Sequence, residues 1–545
     1  MDSSLGWQSY QNYRKVGKET EIKLRSAMKT HMDDETRQIS HPRLLQLILD
    51  KDEIRKLFGQ YESEIPWWKG RDIDKLSQEV HSKHIRVLAI LILFEMGPVI
   101  VHLWDNGVSD DKLPLIYNDE LCANDLHLAG QRDIQLTCFD NENTETRKEI
   151  CRTQWYLNVP YLAPLSETES DFRLKHENFD SNVVLPWCRP VPLDSGIVPS
   201  AKIEHSGGYS SVRMVHIDSE YHGFHGIFKK IKLRSSNNFA LKILNPQPDQ
   251  ELERMYQNEI RQLSHFNGTV SRHLVTLLAT FTQKEKRHFL FPWATCDLFS
   301  YWETENMQPW DIGHVRWFSK QLLGLVQAVR ALHWSRSKEH YYARHGDLKP
   351  DNILWYKGYA DDDEKGILVV SDMGFTVAHT MYSRSKDLAA GVARTPEYRP
   401  PELDDQDAKV SRSYDIWTLG CIFLEMLIWF LGGNNERIEF KKSRGMVDSR
   451  GAGTFTFFTL NQKGNSTSAN VKPSVVMGMN AIRNHRHRTE FSDNVVDAIE
   501  KSMIVVDPKK RCDIKDLEQT FVRINDNCQK SEDYGIGPAA PLNNS

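Results

Sequence analysis

One short polar stretch constrains this chain more than any other part of it. Residues 345–352 read HGDLKPDN. Within them, the carboxylate of Asp347 can accept a hydroxyl proton, the carboxamide oxygen of Asn352 can bind Mg²⁺, and Lys349 can neutralise a phosphate oxygen. These groups suit phosphoryl transfer, because its charged transition state needs metal ions, a fixed cation and a positioned acceptor. A turn rich in Asp and Asn after a helix would read similarly, so residues elsewhere must decide between the two interpretations.

The same stretch resembles the catalytic loop of eukaryotic protein kinases, whose pattern is HRDLxxxN. The one difference is Gly346, which stands where arginine is usual. The resemblance implies that Asp347, Lys349 and Asn352 are catalytic and that Asn352 also binds the metal. A loop of this HGD type is also similar to that of kinase-like phosphotransferases that act on small molecules such as aminoglycosides and choline. The loop alone leaves both families open.

Composition excludes several other classes of protein. The length of 545 residues predicts several compact units, and a net charge of -5 gives no indication of nucleic-acid binding. The eight cysteines form no CxxC pair and no secretory signal opens the chain, so we expect reduced thiols and an intracellular location, in cytoplasm or nucleus. The apolar runs 87–94 and 416–431 are shorter than the roughly 20 residues that a bilayer requires. We expect buried core helices and no membrane contact.

Residues 1–195 show a mainly helical pattern and no metal, nucleophile or phosphate-binding constellation. Apolar residues in 44–58 recur on one helical face, and a second helix is predicted from about 72 through 94. Glycine and proline at 97–98 stop that helix, and 99–101 is predicted to be a short strand. An accessory domain that regulates the chain or binds an unknown partner is the default expectation.

Segment 203–212 is similar to a kinase glycine-rich loop in a degenerate form. Gly207 keeps one of the patterned glycines, Gly208 is added beside it, and Val212 follows. Glycines let the backbone approach phosphates closely. The segment alone would also suit an ordinary hairpin turn.

A lysine in an apolar strand strengthens this interpretation. Segment 239–244 matches the kinase VAIK strand, with Ala240 and Lys242 at its cofactor positions. A lysine inside such a strand needs an anion. By the resemblance, Glu259 in the helical pattern 252–266 forms the ion pair that orients Lys242 toward the α and β phosphates of ATP.

Segment 289–294 resembles the hinge that joins the two kinase lobes. By the resemblance, adenine uses the carbonyl of Phe291 and the N–H of Trp293, and Pro292 lacks a donor where none is needed. Asp297 could accept from the ribose hydroxyls or could cap the next helix, and both remain open.

Segment 371–375, SDMGF, resembles the DFG metal-binding segment with methionine in the middle. Asp372 would bridge Mg²⁺ to the β and γ phosphates, in company with Asn352. Methionine is long and adaptable, so Met373 can fill the packing position of the usual phenylalanine.

A later segment distinguishes the two families. Residues 395–402, TPEYRPPE, resemble the end of a protein-kinase activation segment, 415–420 resembles the DxWxxG helix start, and Arg511 is expected to pair with Glu402. Small-molecule phosphotransferases lack this segment, so it favours a protein kinase. Lys349 with a threonine at 395 resembles the branch specific for serine and threonine.

The resemblance implies an α+β chain: a two-lobed protein-kinase fold over 196–525, behind a mostly helical N-terminal domain, 1–195. Its N-lobe would span about 196–292 and its C-lobe about 293–525, with a disordered tail at 526–545. The implied function is Mg²⁺-dependent transfer of the ATP γ-phosphoryl group to Ser or Thr of a protein substrate. One alternative is a pseudokinase scaffold, indicated by the few patterned glycines in 203–212, the DMG segment and the HGD loop. The other is a small-molecule phosphotransferase.

Two further expectations concern the C-terminal half. The hinge and the long insert 432–488 resemble kinases of filamentous fungi. Gly, Ser, Asn and Thr dominate parts of the insert, which predicts mobile loop there. Kinases with arginine at the position of Gly346 use it to bind an activation-segment phosphate. Glycine offers no cation, so phosphorylation at Thr380, Ser383 or Ser385 should not switch activity, and control should lie in the N-terminal domain or a partner.

Overall fold

Three hydrophobic cores organise the computed structural model of the chain. The first lies in the C-terminal half, the second in the N-terminal helices, and the third between them. The structure describes residues 13, 15–118, 125–129, 136–139, 142–164, 166–168, 171–173, 176–189, 205–206, 210–234, 236–244, 256–257, 260–266, 270–305, 311–334, 342–357, 365–372, 377–379, 397–404, 411–447, 453–463 and 466–538.

The N-terminal region is mainly helical, as predicted. Its helices are α1 (Lys18–Ala27), α2 (Pro42–Ile48), α3 (Lys51–Glu64), α4 (Ile73–Lys83), α5 (Ile85–Leu93), α6 (Ile100–Asp105) and α7 (Thr144–Tyr156). Its strands are short: β1 (Lys29–Thr30), β2 (Gln38–Ile39), β3 (Leu115–Asn118), β4 (Asp125–Leu128), β5 (Ser166–Thr168), β6 (Asp171–Arg173) and β7 (His176–Asn178).

Both helices predicted in this region are divided in two. Asp50 begins α3 by accepting a hydrogen bond from the N–H of Glu53, so the apolar pattern over 44–58 spans two helices. Asp72 caps α4, and His84 separates α4 from α5 with non-helical backbone angles. Apolar periodicity continued across both breaks because the flanking helices bury residues in one core.

The strand predicted at 99–101 is wrong. A 3₁₀ turn at Gly97–Val99 leads directly into α6, where Ile100 and Val101 are fully buried in the N-terminal core. Three consecutive β-branched residues favour a strand locally, but burial against α5 decides the conformation.

A six-stranded sheet follows the N-terminal helices. The region holds β8 (His205–Ser206), β9 (Ser210–His216), α8 (His225–Lys230), β10 (Asn238–Leu244), β11 (Ala279–Gln283) and β12 (Lys286–Pro292). The strand order is β7-β11-β12-β10-β9-β8, and every pair is antiparallel except β7 with β11. The N-terminal region therefore adds one parallel edge strand to this sheet.

The third core is shared between the N-terminal region and the sheet. Phe239 and Leu241 of β10 are buried in it, together with Trp187 and Ile39. The hydroxyl of Tyr221 also donates to the carbonyl of Ile39 at 3.1 Å. The predicted domain boundary near residue 195 stays a prediction, but the packing continues across it.

The C-terminal region is largely helical. Its helices are α9 (Leu298–Thr304), α10 (Ile312–His333), α11 (Ser413–Arg444), α12 (Pro473–Arg483), α13 (Glu490–Ala498), α14 (Ile514–Lys530) and α15 (Glu532–Ile536). Its strands are β13 (Cys296–Asp297), β14 (Tyr342–Arg344), β15 (Ile353–Tyr356), β16 (Ile367–Val370), β17 (Val377–His379), β18 (Met446–Val447), β19 (Gly453–Thr454), β20 (Phe458–Lys463) and β21 (Ser466–Val471). The α+β class is confirmed.

Helix α11 is the central element of the C-terminal core. By length and composition it could cross a membrane, but 89% of its most apolar window is buried inside the protein. The expectation that 416–431 is a buried core helix is confirmed.

Two segments expected to be mobile or disordered have regular structure. In the insert 432–488, β20 and β21 form an antiparallel hairpin and α12 follows, since Phe458, Leu460 and Val471 pack on the C-terminal core among the polar residues. In the predicted tail, α14 continues to Lys530 and α15 buries Tyr534. Residues 539–545 lie outside the described residues.

Candidate active site

The loop 345–352 is held by a carboxylate from α11. Asp415 is fully buried and accepts hydrogen bonds from the backbone N–H groups of His345 (2.8 Å) and Gly346 (2.9 Å), and from Nε2 of His333 (2.8 Å). Burial alone would raise the pKa of Asp415, but the His333 imidazole and the Gly346 N–H hold the pKa of that carboxyl below its usual range. A buried carboxylate with these donors fixes the start of the loop.

The two ring nitrogens of His345 have different partners. Nε2 lies 2.9 Å from the carbonyl oxygen of Ser371 and therefore donates to it. Nδ1 then accepts from the N–H of Asp347 at 3.3 Å. The imidazole thus connects the loop to the segment that carries Asp372, and it is fully buried.

Gly346 has a backbone φ of 80°, in the left-handed region. A side chain there is strained, so the glycine that departs from the family's arginine suits the local backbone. It also presents its N–H to Asp415.

The three predicted catalytic residues lie together. Lys349 Nζ is 2.9 Å from Oδ2 of Asp347. The carboxamide nitrogen of Asn352 donates to the backbone oxygen of Asp347 at 2.8 Å and to its Oδ2 at 3.2 Å. This leaves the carboxamide oxygen of Asn352 for a metal ion. The carboxylate of Asp347 is oriented by two donors and is largely buried.

A second ion pair joins β10 of the sheet to the segment that follows β16. Lys242 Nζ lies 3.0 Å from Oδ1 of Asp372, and the two side chains retain 12% and 35% of their exposure. Asp372 has a φ of 58°, an uncommon angle for a residue other than glycine and of the kind that clusters at ligand sites. The backbone N–H of Ser371 donates to the oxygen of Asn352 at 2.8 Å, which joins the two predicted metal-binding segments.

These side chains fit Mg²⁺ with nucleotide phosphates rather than a metal site made by protein alone. Among the described residues no group of three or more His, Cys, Asp or Glu side chains could hold a metal ion. Mg²⁺ is commonly held by one or two protein oxygens together with phosphates, and Asp372 and Asn352 supply that number.

Strand register brings the predicted nucleotide-binding residues to one side of the sheet. Lys242 pairs with Val212 of β9, and Ala240 pairs with Phe291 of β12. Side chains alternate along a strand, so Ala240 and Lys242 face away from the buried Phe239 of the same strand. Val212, Ala240 and Phe291 remain partly exposed.

The predicted hinge residues have protein partners in this structure. The N–H of Trp293, predicted to bind adenine, donates to the oxygen of Asn238 at 3.3 Å. A bound base would have to replace this long hydrogen bond. Asp297 accepts from the N–H of Ser300 at 2.7 Å, which favours the helix cap among its two open roles.

The structural ion pair predicted between Glu402 and Arg511 is confirmed. The guanidinium donates from both terminal nitrogens to the two carboxylate oxygens, each at 2.7 Å, and both residues are buried. A fork-to-fork pair of this kind ties the end of segment 397–404 to the C-terminal core.

Comparisons with known proteins agree with this arrangement. The model of the protein kinase domain matches residues 223–522, more than half of the 545. The chain belongs to the protein kinase domain family. Cyclin-dependent kinase-like 4 of Mus musculus is 29% identical over 209 residues, 38% of this chain and 54% of that protein. Cyclin-dependent kinase 2 of Caenorhabditis elegans is 29% identical over 204 residues, 37% of this chain and 49% of that protein.

The kinase thus has the expected two-lobed fold behind a mainly helical N-terminal region. It spans about half the length of the curated relatives it matches. The family match begins after 203–212, where β8 and β9 pair as a hairpin. Gly207, Gly208 and Glu259 lie outside the described residues, so their predicted roles stay predictions. The same holds for Thr380, Ser383 and Ser385.

Sequence reasoning missed the residues that hold the loop. The DxWxxG pattern indicated a helix start, but not that Asp415 would receive two loop N–H groups. His333 gave no sequence signal, since a lone histidine at the end of a helix is common. Arg444, described below, was also missed because it lies within the insert expected to be mobile.

Proposed function

We propose that this kinase transfers the γ-phosphoryl group of ATP to Ser or Thr side chains of protein substrates. The observation that carries the proposal is a pair of charged clusters on two segments that His345 joins by hydrogen bonds. Lys242 meets Asp372 from the sheet side, and Asp347 meets Lys349 and Asn352 from the loop side. Phosphoryl transfer needs such groups, which position phosphates and orient an acceptor.

In this proposal Asp347 accepts the proton of the acceptor hydroxyl as that oxygen attacks the γ-phosphorus. The bond between the γ-phosphorus and the β–γ bridging oxygen breaks, and ADP leaves with that oxygen. Lys349, 2.9 Å from Asp347, neutralises charge on the transferred group. Lys242 binds the α and β phosphates, and Asp372 and Asn352 would hold Mg²⁺ when the ion is present. The ion, when bound, neutralises charge on the β and γ phosphates.

Protein acceptors are favoured over small molecules by the ordered segment 397–404. The Glu402–Arg511 pair ties this segment to the core. The relatives are named cyclin-dependent kinases and kinase-like proteins, and lysine stands two residues after the proposed base, which supports serine and threonine as acceptors. An intracellular location is part of the proposal, in agreement with seven free thiols among the described cysteines.

Replacement of the base tests the proposal. Asp347→Ala should lower kcat on generic acceptors such as casein or histone by about 10²–10⁴-fold with an unchanged melting temperature, because positioned base catalysis has that magnitude. Asp351→Ala, at an exposed position of the same loop, is the matched control and should keep its activity. The measurement is transfer of labelled phosphate from ATP by the full chain.

Three results would contradict the proposal. A kcat within tenfold of the unchanged protein in Asp347→Ala would remove the base assignment. Faster transfer to kanamycin than to any protein would indicate a small-molecule phosphotransferase. Thermal stabilisation by ATP without transfer to any acceptor would indicate a pseudokinase.

A further inference from the structure

Arg444, at the end of α11, is fully buried among acidic and aromatic side chains. Its Nη2 lies 2.7 Å from Oε1 of Glu397 and 2.5 Å from Oε1 of Glu425. The guanidinium carbon lies 4.6 Å from the ring centre of Phe440 and 4.0 Å from that of Phe457. A planar guanidinium can stack between rings and still donate to two carboxylates, whereas lysine cannot do both.

A change of backbone direction inside α11 brings Arg444 toward segment 397–404. Gly433 has φ 80° and ψ -176°, a conformation open in practice to glycine alone, and the helix changes direction there. The final turns then place Arg444 and Lys441 beside Glu397, with Lys441 Nζ 3.1 Å from Oε2 of that carboxylate. The insert after residue 432 therefore supplies both cations.

The same helix also holds the catalytic loop. Asp415 receives the loop N–H groups, and Glu425 accepts from the hydroxyl of the buried Tyr398 at 2.8 Å. Ten residues of helix separate the two carboxylates, about 15 Å at 1.5 Å per residue. An extended peptide covers that length with about four or five residues. The catalytic loop and segment 397–404 are thus held at two points of one helix, about three turns apart.

We propose that Arg444 is a positioning residue for the protein substrate: it holds Glu397 and Tyr398 in the peptide-binding conformation without an added phosphate. Where a phosphorylated segment is ordered by arginine, the segment brings the anion after modification. Here the segment carries its anion as Glu397, and the insert carries the arginine. The inference rests on the proposed protein-kinase function. In it, Arg444 supplies the cation that glycine at position 346 cannot provide.

Glu397→Gln is the decisive variant, because Glu397 is 20% exposed and its loss leaves the buried Arg444–Glu425 pair intact. The KM for a serine peptide should rise by about tenfold or more, the loss expected for one charge-assisted hydrogen bond, while the KM for ATP stays within twofold. Arg444→Lys should give the same pattern, and the double variant should be no worse than the poorer single variant. Lys442→Ala, on an exposed face of the same helix, is the control and should match the unchanged kinase.

Phosphatase treatment provides a second test of the positioning role. The unchanged kinase should keep its activity after complete dephosphorylation. Each of three results would overturn the positioning role alone. The first is a peptide KM of Glu397→Gln within twofold of that of the unchanged kinase. The others are additive effects in the double variant and loss of activity on dephosphorylation. An unchanged chain that phosphorylates no protein at all would overturn the proposed function, and this inference with it.

Discussion

At the scale of single residues, the site depends on unusual backbone angles and buried charge. Gly346 and Asp372 both have left-handed φ angles, and they lie on the two segments that His345 connects. Asp415 compensates for its complete burial with donors from His333 and the loop backbone. Each feature keeps the groups around Asp347 in place before a substrate binds, which is how enzymes reduce the reorganisation that a reaction requires.

Gly346→Ala tests the backbone strain at the loop. At a φ of 80° an alanine side chain should destabilise the folded kinase by about 1–2 kcal/mol, so the melting temperature should fall. Gly59→Ala is the matched control, because Gly59 lies inside α3 and an added methyl group there would meet no atom within 4 Å. At that position alanine should raise the melting temperature, with a gain of about 0.5–1 kcal/mol. Equal shifts in the two variants would contradict the strain argument.

At the scale of elements, β7 brings the N-terminal region next to the segment expected to carry Glu259. Nδ1 of His176 lies 3.0 Å from the Thr280 hydroxyl on β11 and 3.0 Å from the Tyr256 hydroxyl. Tyr256 is buried against the C-terminal core and precedes Glu259 by three residues in the sequence. We therefore expect a contact at β7 to affect the proposed partner of Lys242.

His176→Ala should accordingly lower kcat/KM for ATP by several-fold, because Tyr256 loses a hydrogen bond that is worth about 1 kcal/mol. Steady-state kinetics with varied ATP would measure the effect. Asn178→Ala, at an exposed position on the same strand, is the control and should change neither parameter. An effect as large in Asn178→Ala would show that the strand pairing, and not the histidine contact, matters.

At the scale of the whole molecule, the third core joins the N-terminal region to the kinase sheet, and histidines lie in and beside it. Burial lowers the pKa of His41, His222 and His288 to about 4. The ring of His288 stacks on Phe281 at 4.5 Å, and His222 packs edge-on against Phe239 at 5.1 Å. All three are held neutral where the two regions meet.

The kinase should therefore lose stability in mild acid. The folded pKa values lie below the usual value of about 6.5, so stability is complete above that pH and falls as the pH decreases toward 4. Melting temperatures between pH 7.5 and 5 would measure this. His288→Phe keeps the stacked ring without a titrating group and should reduce the slope. His81→Gln, at a partly exposed position on α4, should not, and equal slopes in both variants would contradict the prediction.

Contiguous residues encode the features that could be predicted without the structure. The loop 345–352, the apolar strand around Lys242, the buried helix over 416–431 and the helical pattern of 44–58 and 72–94 were predictable, because local spacing, capping and apolar periodicity express them. The Glu402–Arg511 pair was predictable only through the family resemblance. Helix breaks at Asp50 and His84 were missed, since a continuous apolar pattern does not reveal where neighbouring helices change direction.

Contacts between distant parts of the chain are visible only in the tertiary structure. It placed β7 at the sheet edge, joined Trp187 and Ile39 to the third core, and brought Arg444 to Glu397. It also paired β20 with β21 in an insert whose composition predicted mobile parts. The physical reason is that such contacts depend on the path of the whole chain and on which buried surfaces meet. A window of sequence holds one partner of each pair and not the other.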